Sequence, residues 1–184
     1  RRDLDYLNDQ GLLVRTHGGA VGVASREGVR EMEFDQKDTQ HIDAKRRIGA
    51  RAAEMVGENE IVFANSGSTI LAFMQAIRAP SVRLITNNAA CIGCELEATL
   101  DLLVVGGQYR ARSRSFVGEL TLNSLRLMYS THTFLGTNGI TVEHGLTTTV
   151  YQECSVNQTM IENTHGQVVV LADSSKVGVV SNFV

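Results

Sequence analysis

The sequence predicts an α/β fold in which a mainly parallel sheet is covered by helices on both faces. Short apolar runs typical of strands alternate with stretches of helical periodicity, and parallel strands need such crossover helices. Polar loops follow the apolar runs directly, as they do where the strands of an open α/β sheet end. The predicted strands are 60–64, 82–86, 101–105, 132–135 and 167–172, and the predicted helices between them are 69–78, 88–98, 116–129 and 150–164.

The N-terminal part of the chain lacks this alternation. Leucines at helical spacing over residues 3–13 are followed by a short strand and a turn at Gly18-Gly19. Residues 22–40 are polar and show no regular apolar spacing, which predicts a linker. We therefore divide the chain into residues 1–21, this linker, and an α/β domain over residues 41–184.

Residues 41–56 predict the first helix of the α/β domain, because Ile48, Ala52 and Val56 form an apolar stripe along it. Several basic residues lie on the same helix. Such a cluster either contacts phosphate or DNA, or forms a solvated helix face, and the solvated face is the commoner arrangement. The cluster consists of Lys45, Arg46, Arg47 and Arg51.

Composition excludes several classes of protein. The net charge of −3 gives no overall attraction to nucleic acid, so any DNA contact must be local. No apolar run approaches the roughly 20 residues of a membrane-spanning helix. The first residues, Arg1-Arg2-Asp3, do not resemble a signal peptide. We expect a cytoplasmic protein without a membrane partner.

Cys91 and Cys94 form a CxxC pair within a total of three cysteines, which make no disulfide framework. A redox pair or half of a zinc site is conceivable. A structural zinc site needs a second ligand pair, however, and the five histidines are scattered singly. We expect both cysteines to be buried structural residues, and we expect no metal or cofactor.

Glycine, amide, hydroxyl and cationic residues follow each of the five predicted strands. The carboxyl ends of parallel strands lie along one edge of a sheet, and open α/β sheets bind ligands at that edge. These segments together therefore predict one polar small-molecule site. The candidate residues are Asn65, Ser66, Gly67, Ser68, Thr69, Thr86, Asn87, Asn88, Gly106, Gly107, Arg110, Gly136, Asn138, Gly139 and Lys176.

The types of these residues favour a phosphorylated ligand. Ser66 and Thr69 lie where a helix begins, and a helix amino terminus offers unpaired N–H groups and a positive dipole end to phosphate. Ser68 or Thr69 could equally be a helix N-cap, and the two roles are compatible. Lys176 supplies a charge, and it could also be an ordinary surface lysine. The asparagines can donate to and accept from sugar hydroxyls.

The same loops are poor in groups for proton transfer. They contain one acidic residue, Asp173, and no histidine, whereas chemistry on a sugar needs a positioned acid and base. Glu143-His144 lies further along, in the longer loop after Gly139. The predicted site therefore binds its ligand without transforming it, and we assign no catalytic residue.

Ordered motifs along the chain resemble a known family. Residues 1–21, RRDLDYLNDQGLLVRTHGGAV, resemble the end of a DeoR-type winged helix-turn-helix, from the tail of the recognition helix through the wing. The rest of the chain resembles the DeoR-type sensor domain. The motifs that carry this second resemblance are, in order, FANSGST, LITNN, VVGGQYR, FVG, FLGTNGI, GLTT and ADSSKVG.

The resemblance implies a bacterial transcription factor, in most cases a repressor of carbohydrate genes that a phosphorylated sugar releases from its operator. It also implies a sensor fold similar to ribose-phosphate isomerases, glucosamine-phosphate deaminases and CoA transferases. Operator DNA, a phosphorylated sugar and further copies of the chain are the expected partners. Arg1 and Arg2 are the expected DNA contacts. Against the family pattern, we expect the helix-turn-helix and the C-terminal end to be truncated here.

One residue and one loop distinguish this chain within the resemblance. Asn65 stands where the family usually has Asp. In the related enzymes the loop that matches GTNGI carries catalytic acids, whereas this chain has Thr137, Asn138 and Gly139. The alternative is a sugar-phosphate isomerase or deaminase of the same fold, which would turn over pentose or hexose phosphates. A purely structural interaction domain is a third class, and no ligand would stabilise it.

Overall fold

The computed structural model describes residues 13–16, 19–22 and 31–184, and side chains only from residue 31 onward. The strands are β1 Leu13–Thr16, β2 Gly19–Gly22, β3 Ile61–Ala64, β4 Arg83–Thr86, β5 Asp101–Val104, β6 Gln108–Arg110, β7 Ser115–Val117, β8 Ser130–Gly136, β9 Gly139–Thr141, β10 Gly145–Thr147 and β11 Thr164–Leu171. The helices are α1 Phe34–Thr39, α2 Ile42–Ala53, α3 Ser68–Ala76, α4 Glu119–Leu125 and α5 Tyr151–Glu162, with 3-10 turns at Ala89–Cys91 and Ser174–Lys176.

The chain divides into two units, Arg1–Arg30 and Glu31–Val184. In the first unit, β1 and β2 form an antiparallel hairpin in which Thr16 pairs with Gly19. The strand β1 confirms the predicted short strand, whereas β2 begins at Gly19, within the predicted turn at Gly18-Gly19. Gly18, the helix predicted to end at Gly11, and Arg1 and Arg2 lie outside the described residues.

The second unit is built on a five-stranded sheet in the order β11-β8-β3-β4-β5. All neighbouring strands in it are parallel. Each of these strands overlaps one of the five predicted from the sequence, so the predicted parallel α/β fold is confirmed. The loops that follow the strands consequently meet along one edge.

Alternate residues of the strands enter two separate cores. Val62 and Phe134 pack with residues of α2 and α3 on one face of the sheet, whereas Phe63 and Leu135 pack with residues of α4 and α5 on the other. Because successive side chains of a strand point to opposite faces, a fully apolar run such as IVFA is suited to a sheet covered on both sides. The predicted helical cover on both faces is confirmed.

Gly49 lets α2 and α3 cross at close range. A Cβ atom at this position would lie 2.7 Å from the backbone of Ala72 and Phe73, so a larger residue would force the helices apart. Phe73 of α3 in turn stacks on Phe134 of β8, with ring centroids 4.2 Å apart. This packing fixes the amino-terminal end of α3 above the carboxyl edge of the sheet.

The predicted irregular linker was wrong in its second half, because residues 34–39 form α1. Phe34 is 3% exposed and belongs to the core beneath α2 and α3. A six-residue helix with one buried apolar side chain has no amphipathic repeat that a sequence pattern could reveal. The domain boundaries at residues 21 and 40 stay predictions.

Two other predicted helices were partly wrong. Residues 88–98 form only the 3-10 turn at Ala89–Cys91, followed by Gly93 at a φ of 88°. The helix predicted from residue 116 begins at Glu119, because Gly118, at a φ of 91°, separates it from β7. The β6–β7 and β9–β10 hairpins were not predicted, since their three-residue strands are too short to show alternation. None of the helices in the described residues is long and apolar enough to cross a membrane.

Candidate anion-binding cleft

A cleft opens at the carboxyl edge of the sheet, between the ends of β3, β8 and β11. Helices α1 and α2 and the start of α5 complete its walls. Eight residues predicted from the strand ends line it, and they come from three separate loops. These residues are Asn65, Ser66, Gly67, Ser68, Thr69, Gly136, Asn138 and Lys176.

The amino terminus of α3 forms the floor of the cleft. Gly67 occupies the N-cap position with φ 128° and ψ 161°, a conformation that essentially only glycine adopts. No side chain caps the helix, so the first amides of α3 and its dipole end are left for a ligand. The alternative role of Ser68 or Thr69 as the N-cap was wrong, because α3 starts one residue after Gly67.

Asn65 ties the loop after β3 to the end of β8. Its amide nitrogen donates to the carbonyl oxygen of Gly136 at 3.0 Å and to Oδ1 of Asn157 at 2.9 Å. Its Oδ1 accepts from the backbone N–H of Gly136 at 2.8 Å. A carboxylate could not make the two donations. Asn65 therefore gives this chain a neutral cross-link between two walls of the cleft.

Every lysine of the chain lies in this cleft. The sequence contains three, Lys37, Lys45 and Lys176, and all three line it. Lys45 is 6% exposed, and its Nζ donates to the carbonyl oxygen of Lys37. The solvated-face interpretation of the basic cluster on α2 was therefore wrong for Lys45, whereas Arg46, Arg47 and Arg51 are exposed as expected.

The surroundings of Lys37 and Lys45 disfavour the charged form of both side chains. Burial is the largest cause that lowers the pKa of Lys37, and Lys176 and Arg110 lower it further against the opposing effects of Glu153 and Glu31. The pKa of Lys45 is lowered first by burial and then by Lys176 and Lys37, while Asp38 and Asp173 oppose this. Lys37 and Lys45 therefore each gain from the arrival of an anion.

Two carboxylates share the cleft with the lysines. Burial acts to raise the pKa of Asp173, but hydrogen bonds from Ser175, with Lys176 and His41, outweigh it and lower this pKa. Asp173 Oδ1 accepts from Ser175 N at 2.9 Å, whereas its Oδ2 is buried without a partner among the described residues. Glu153 accepts from the hydroxyls of Ser115 and Thr148 at 3.2 and 3.3 Å. Sequence reasoning missed Glu153, which lies in the first turn of α5 rather than after a strand.

The predicted residues after β4 lie behind the cleft rather than in its lining. Thr86, Asn87 and Asn88 are all buried. Asn88 donates to the carbonyl oxygen of Gly67 at 3.1 Å, and Asn87 donates to that of Phe116 at 2.9 Å. Their amides are thus used within the protein, where Asn88 supports the N-cap of α3.

The remaining predicted residues are also outside the lining. Gly107 packs against α4, where a Cβ atom would lie 2.1 Å from the Thr121 hydroxyl, and that hydroxyl donates to the carbonyl oxygen of Gly106. Gly139 packs against the backbone of Val179. Arg110 forms an ion pair with Glu31. The geometry brings none of these residues to the cleft.

Lys37 and His41 are the main cleft residues that sequence reasoning missed. Both fall in or beside the segment interpreted as a linker, and they reach the cleft only because Phe34 anchors α1 in the core. The sequence offered one signal for this wall of the cleft. The chain has only three lysines, and two of them, Lys37 and Lys45, lie eight residues apart ahead of the first strand of the sheet.

The cysteines lie apart from the cleft. Cys91 is buried and its Sγ donates to the carbonyl oxygen of Asn88, while Cys94 is partly buried and donates to that of Ala90. Burial, with a smaller contribution from Cys94, raises the pKa of the Cys91 thiol to about 11. In the described part of the chain, no group of three or more His, Cys, Asp or Glu residues could hold a metal ion.

The five-stranded parallel sheet with helices on both faces is an α/β fold similar to that of ribose 5-phosphate isomerase A. Ribose 5-phosphate isomerase A from Methanocaldococcus jannaschii superposes with a TM-score of 0.51 at 15% identity, over 75% of this chain and 55% of that one. eIF2B delta from Chaetomium thermophilum superposes with a TM-score of 0.52 at 13% identity, over 78% of this chain and 52% of that one. At these identities the likeness concerns the fold alone.

Sequence comparison identifies the protein family to which the chain belongs. The family model for the DeoR C terminal sensor domain matches residues 40–184, and the DeoR-like helix-turn-helix domain matches residues 1–26. The chain therefore belongs to the DeoR family of transcriptional regulators.

Named relatives agree with this assignment. The chain is 36% identical to the HTH-type transcriptional regulator GlpR of Haloferax volcanii, over 97% of this chain and 69% of the relative. It is 30% identical to the lactose phosphotransferase system repressor of Streptococcus mutans, over 97% of this chain and 71% of that repressor.

Proposed function

We propose that the cleft binds a phosphorylated sugar, or a related phosphorylated intermediate, as the effector of a DNA-binding regulator of carbohydrate genes. One observation carries this proposal: the uncapped amino terminus of α3 and all three lysines of the chain meet in one cleft. Helix amides bind phosphate through directed hydrogen bonds, and lysines add point charges. Burial lowers the pKa of Lys37 and of Lys45, so an anion in the cleft would relieve part of the cost of charging them.

The rest of the lining supports recognition of sugar hydroxyls. Oδ2 of Asp173 is buried without a partner in the described residues and can accept a hydrogen bond from a hydroxyl group. Asn138 and Asn157 line the same space and can donate and accept. A phosphate held at α3 with hydroxyls directed toward Asp173 uses both parts of the cleft.

Sensing is favoured over chemistry by the state of the carboxylates. A general base or acid works best with a pKa near the working pH, and the pKa of Asp173 is lowered away from it. Glu153 accepts two hydroxyl hydrogen bonds that hold it in place. The loop Thr137-Asn138-Gly139 has no carboxylate. Pentose and hexose phosphates incubated with the protein should therefore be recovered unchanged, and turnover would establish the isomerase or deaminase alternative.

The DNA-binding half of the proposal follows from the family. Operator DNA would be read by the complete helix-turn-helix, with Arg1 and Arg2 as proposed contacts that lie outside the described residues. The regulator would act in the cytoplasm as a homo-oligomer, since symmetric operators are commonly bound by symmetric proteins.

A thermal-shift panel of matched sugars tests this function. Each phosphorylated sugar is compared with its unphosphorylated counterpart and with inorganic phosphate. A ligand at about a hundred times its dissociation constant adds about 2.7 kcal/mol to the free energy of unfolding. We expect at least one phosphate ester to stabilise the protein, and its parent sugar to have no effect. Equal stabilisation by the parent sugar would contradict the proposal, and no stabilisation by any ester would favour a purely structural domain.

A further inference from the structure

The segment that follows the first unit is fastened to the sensor domain by a ladder of ion pairs. We define residues 31–39 as the strap, and residues 110–114 as its docking loop. Three carboxylates at alternate positions of the strap face three arginines at alternate positions of the loop. The pairs are Glu31–Arg110 at 2.7 Å, Glu33–Arg112 at 4.0 Å and Asp35–Arg114 at 2.7 Å.

Apolar and backbone contacts reinforce the ladder. Phe34 is buried between the rungs, and its backbone N–H donates to the carbonyl oxygen of Arg112 at 2.7 Å. The guanidinium carbon of Arg114 lies 5.3 Å from the centre of the Phe34 ring, a cation–π arrangement. The strap is thus held along its length by side chains of one loop.

The most buried ion pair, Glu31–Arg110, has hydrogen-bonding groups that are only partly satisfied. The side chains of Glu31 and Arg110 are 14% and 24% exposed. Glu31 Oε1 and Arg110 Nε are nonetheless buried without hydrogen-bond partners among the described residues. A buried ion pair with unpaired polar atoms carries a desolvation cost that offsets much of its attraction. The Glu31–Arg110 pair therefore adds little net stability to the docked strap, in spite of its short distance.

The strap and its docking loop also form part of the cleft wall. Lys37, on α1 within the strap, lines the cleft, and Glu31 and Arg110 act on its charge together with Glu153 and Lys176. On the docking loop, Ser113 lines the cleft and bonds to Ser115, which in turn bonds to Glu153. Both sides of the ladder therefore contact the space where the anion would bind.

We propose that the strap is the element that transmits effector binding: an anion in the cleft draws Lys37 inward and tightens the strap on its docking loop. This inference rests on the proposed function. The strap is the first segment of the second unit, so it adjoins the first unit in sequence. A ligand that binds the docked state better shifts the equilibrium toward it, and breaking the ladder must weaken that ligand in return.

Hydrogen exchange and phosphate titration on the same variants test this proposal. Arg110→Gln removes the Glu31–Arg110 pair, and Glu31→Arg combined with Arg110→Glu restores it with reversed charges. Arg83→Gln is the matched control, because it breaks an exposed pair with Asp101 of similar length, 2.7 Å, away from the cleft. The probe is inorganic phosphate. Its affinity is measured by calorimetry, and its effect on the strap is measured by amide hydrogen exchange over residues 34–40.

We expect phosphate to slow exchange of the strap in the unmodified chain. In Arg110→Gln, strap exchange should be faster without phosphate, and phosphate affinity should fall by about fivefold or more. The double variant should recover much of the phosphate affinity and of the slow strap exchange. Arg83→Gln should change neither the affinity nor the exchange rate. If phosphate binds Arg110→Gln and the control equally well and with the same strap exchange, the proposal is wrong while the proposed function stands. If neither inorganic phosphate nor any phosphate ester of the thermal-shift panel binds the unmodified chain, the proposed function fails and the strap proposal with it.

Discussion

Lys37 and Lys45 hold their charges at a cost, and this cost determines how the protein responds to pH. Burial lowers the pKa of both below 10.5, the value expected in the unfolded chain. Between the lowered values and 10.5 the unfolded chain binds more protons, so the contribution of these lysines to stability rises with pH. Phosphate affinity should do the opposite, because the anion needs the protonated amines.

We therefore expect the affinity for inorganic phosphate to fall as the pH rises toward 10.5, over a range in which phosphate itself is already a dianion. Calorimetric titrations across this range measure the dependence, and Lys45→Met should flatten it. An affinity that stays constant over the range would mean that neither buried lysine contacts the anion.

Cys91 and Cys94 behave as packing residues in this account. The thiol of Cys91 stays protonated at neutral pH, because its pKa is raised to about 11. We expect Cys91→Ala with Cys94→Ala to leave phosphate affinity unchanged and to lower the free energy of unfolding by about 1 to 2 kcal/mol. Calorimetry, chemical denaturation and metal analysis check this, and stoichiometric zinc in protein prepared without added metal would refute it.

The loop between β3 and α3 depends on the backbone of Gly67. A Cβ atom there would touch nothing within 4 Å, so any cost of Gly67→Ala comes from its φ of 128°. We expect this variant to lose about 1 to 3 kcal/mol of stability and to bind phosphate more weakly, because the strain is relieved by moving the first amides of α3. Gly106→Ala is the control, since its site is also open and has no positive φ. Equal effects of the two variants would show that the loop is not conformationally constrained.

The strands and the loops that follow them were predictable from the sequence, whereas the helical wall of the cleft was not. IVFA is apolar because both of its faces are buried, and that pattern is local. The place of α1 depends on one phenylalanine and on ion pairs with residues about 79 positions away, as for Glu31 and Arg110. A polar segment that docks through distant partners looks like a linker until the fold is known.

The sequence predicted the edge of the sheet at which the cleft lies, but not which side chains line the cleft. Asn65 to Thr69 all line one cleft, because they follow a strand that ends at the edge of the sheet where the cleft opens, and their contact with an effector stays a prediction. Asn87 and Asn88 follow a strand that ends at the same edge, yet their side chains turn into the protein. Position after a strand identifies the edge, but only the packing of the loops decides which side chains reach the ligand.

Sensing in the whole regulator requires that effector binding and DNA binding are coupled. In the protein with its complete DNA-binding domain, Lys176→Ala should weaken effector binding by about 1.5 to 3 kcal/mol through loss of a charge-assisted contact. Operator affinity without effector should barely change, so the variant should stay on DNA when the effector is added. One labelled operator and one effector titration measure both properties, with Arg126→Ala as an exposed cationic control outside the cleft lining. Normal effector binding would show that Lys176 is not a ligand, and loss of operator binding without effector would assign the lysine to the DNA-competent state.

If the cleft is the effector site, the three lysines of this chain should surround the phosphate of the effector, and amine footprinting can measure this. Lys37, Lys45 and Lys176 are the only lysines in the sequence, so their modification by an acetylating reagent, read by mass spectrometry, reports on the cleft alone. A phosphate ester that stabilises the protein should protect all three lysines, and its unphosphorylated parent sugar should protect none. If a stabilising phosphate ester left the three lysines as reactive as they are in the free protein, its binding site would lie elsewhere and the account would be contradicted.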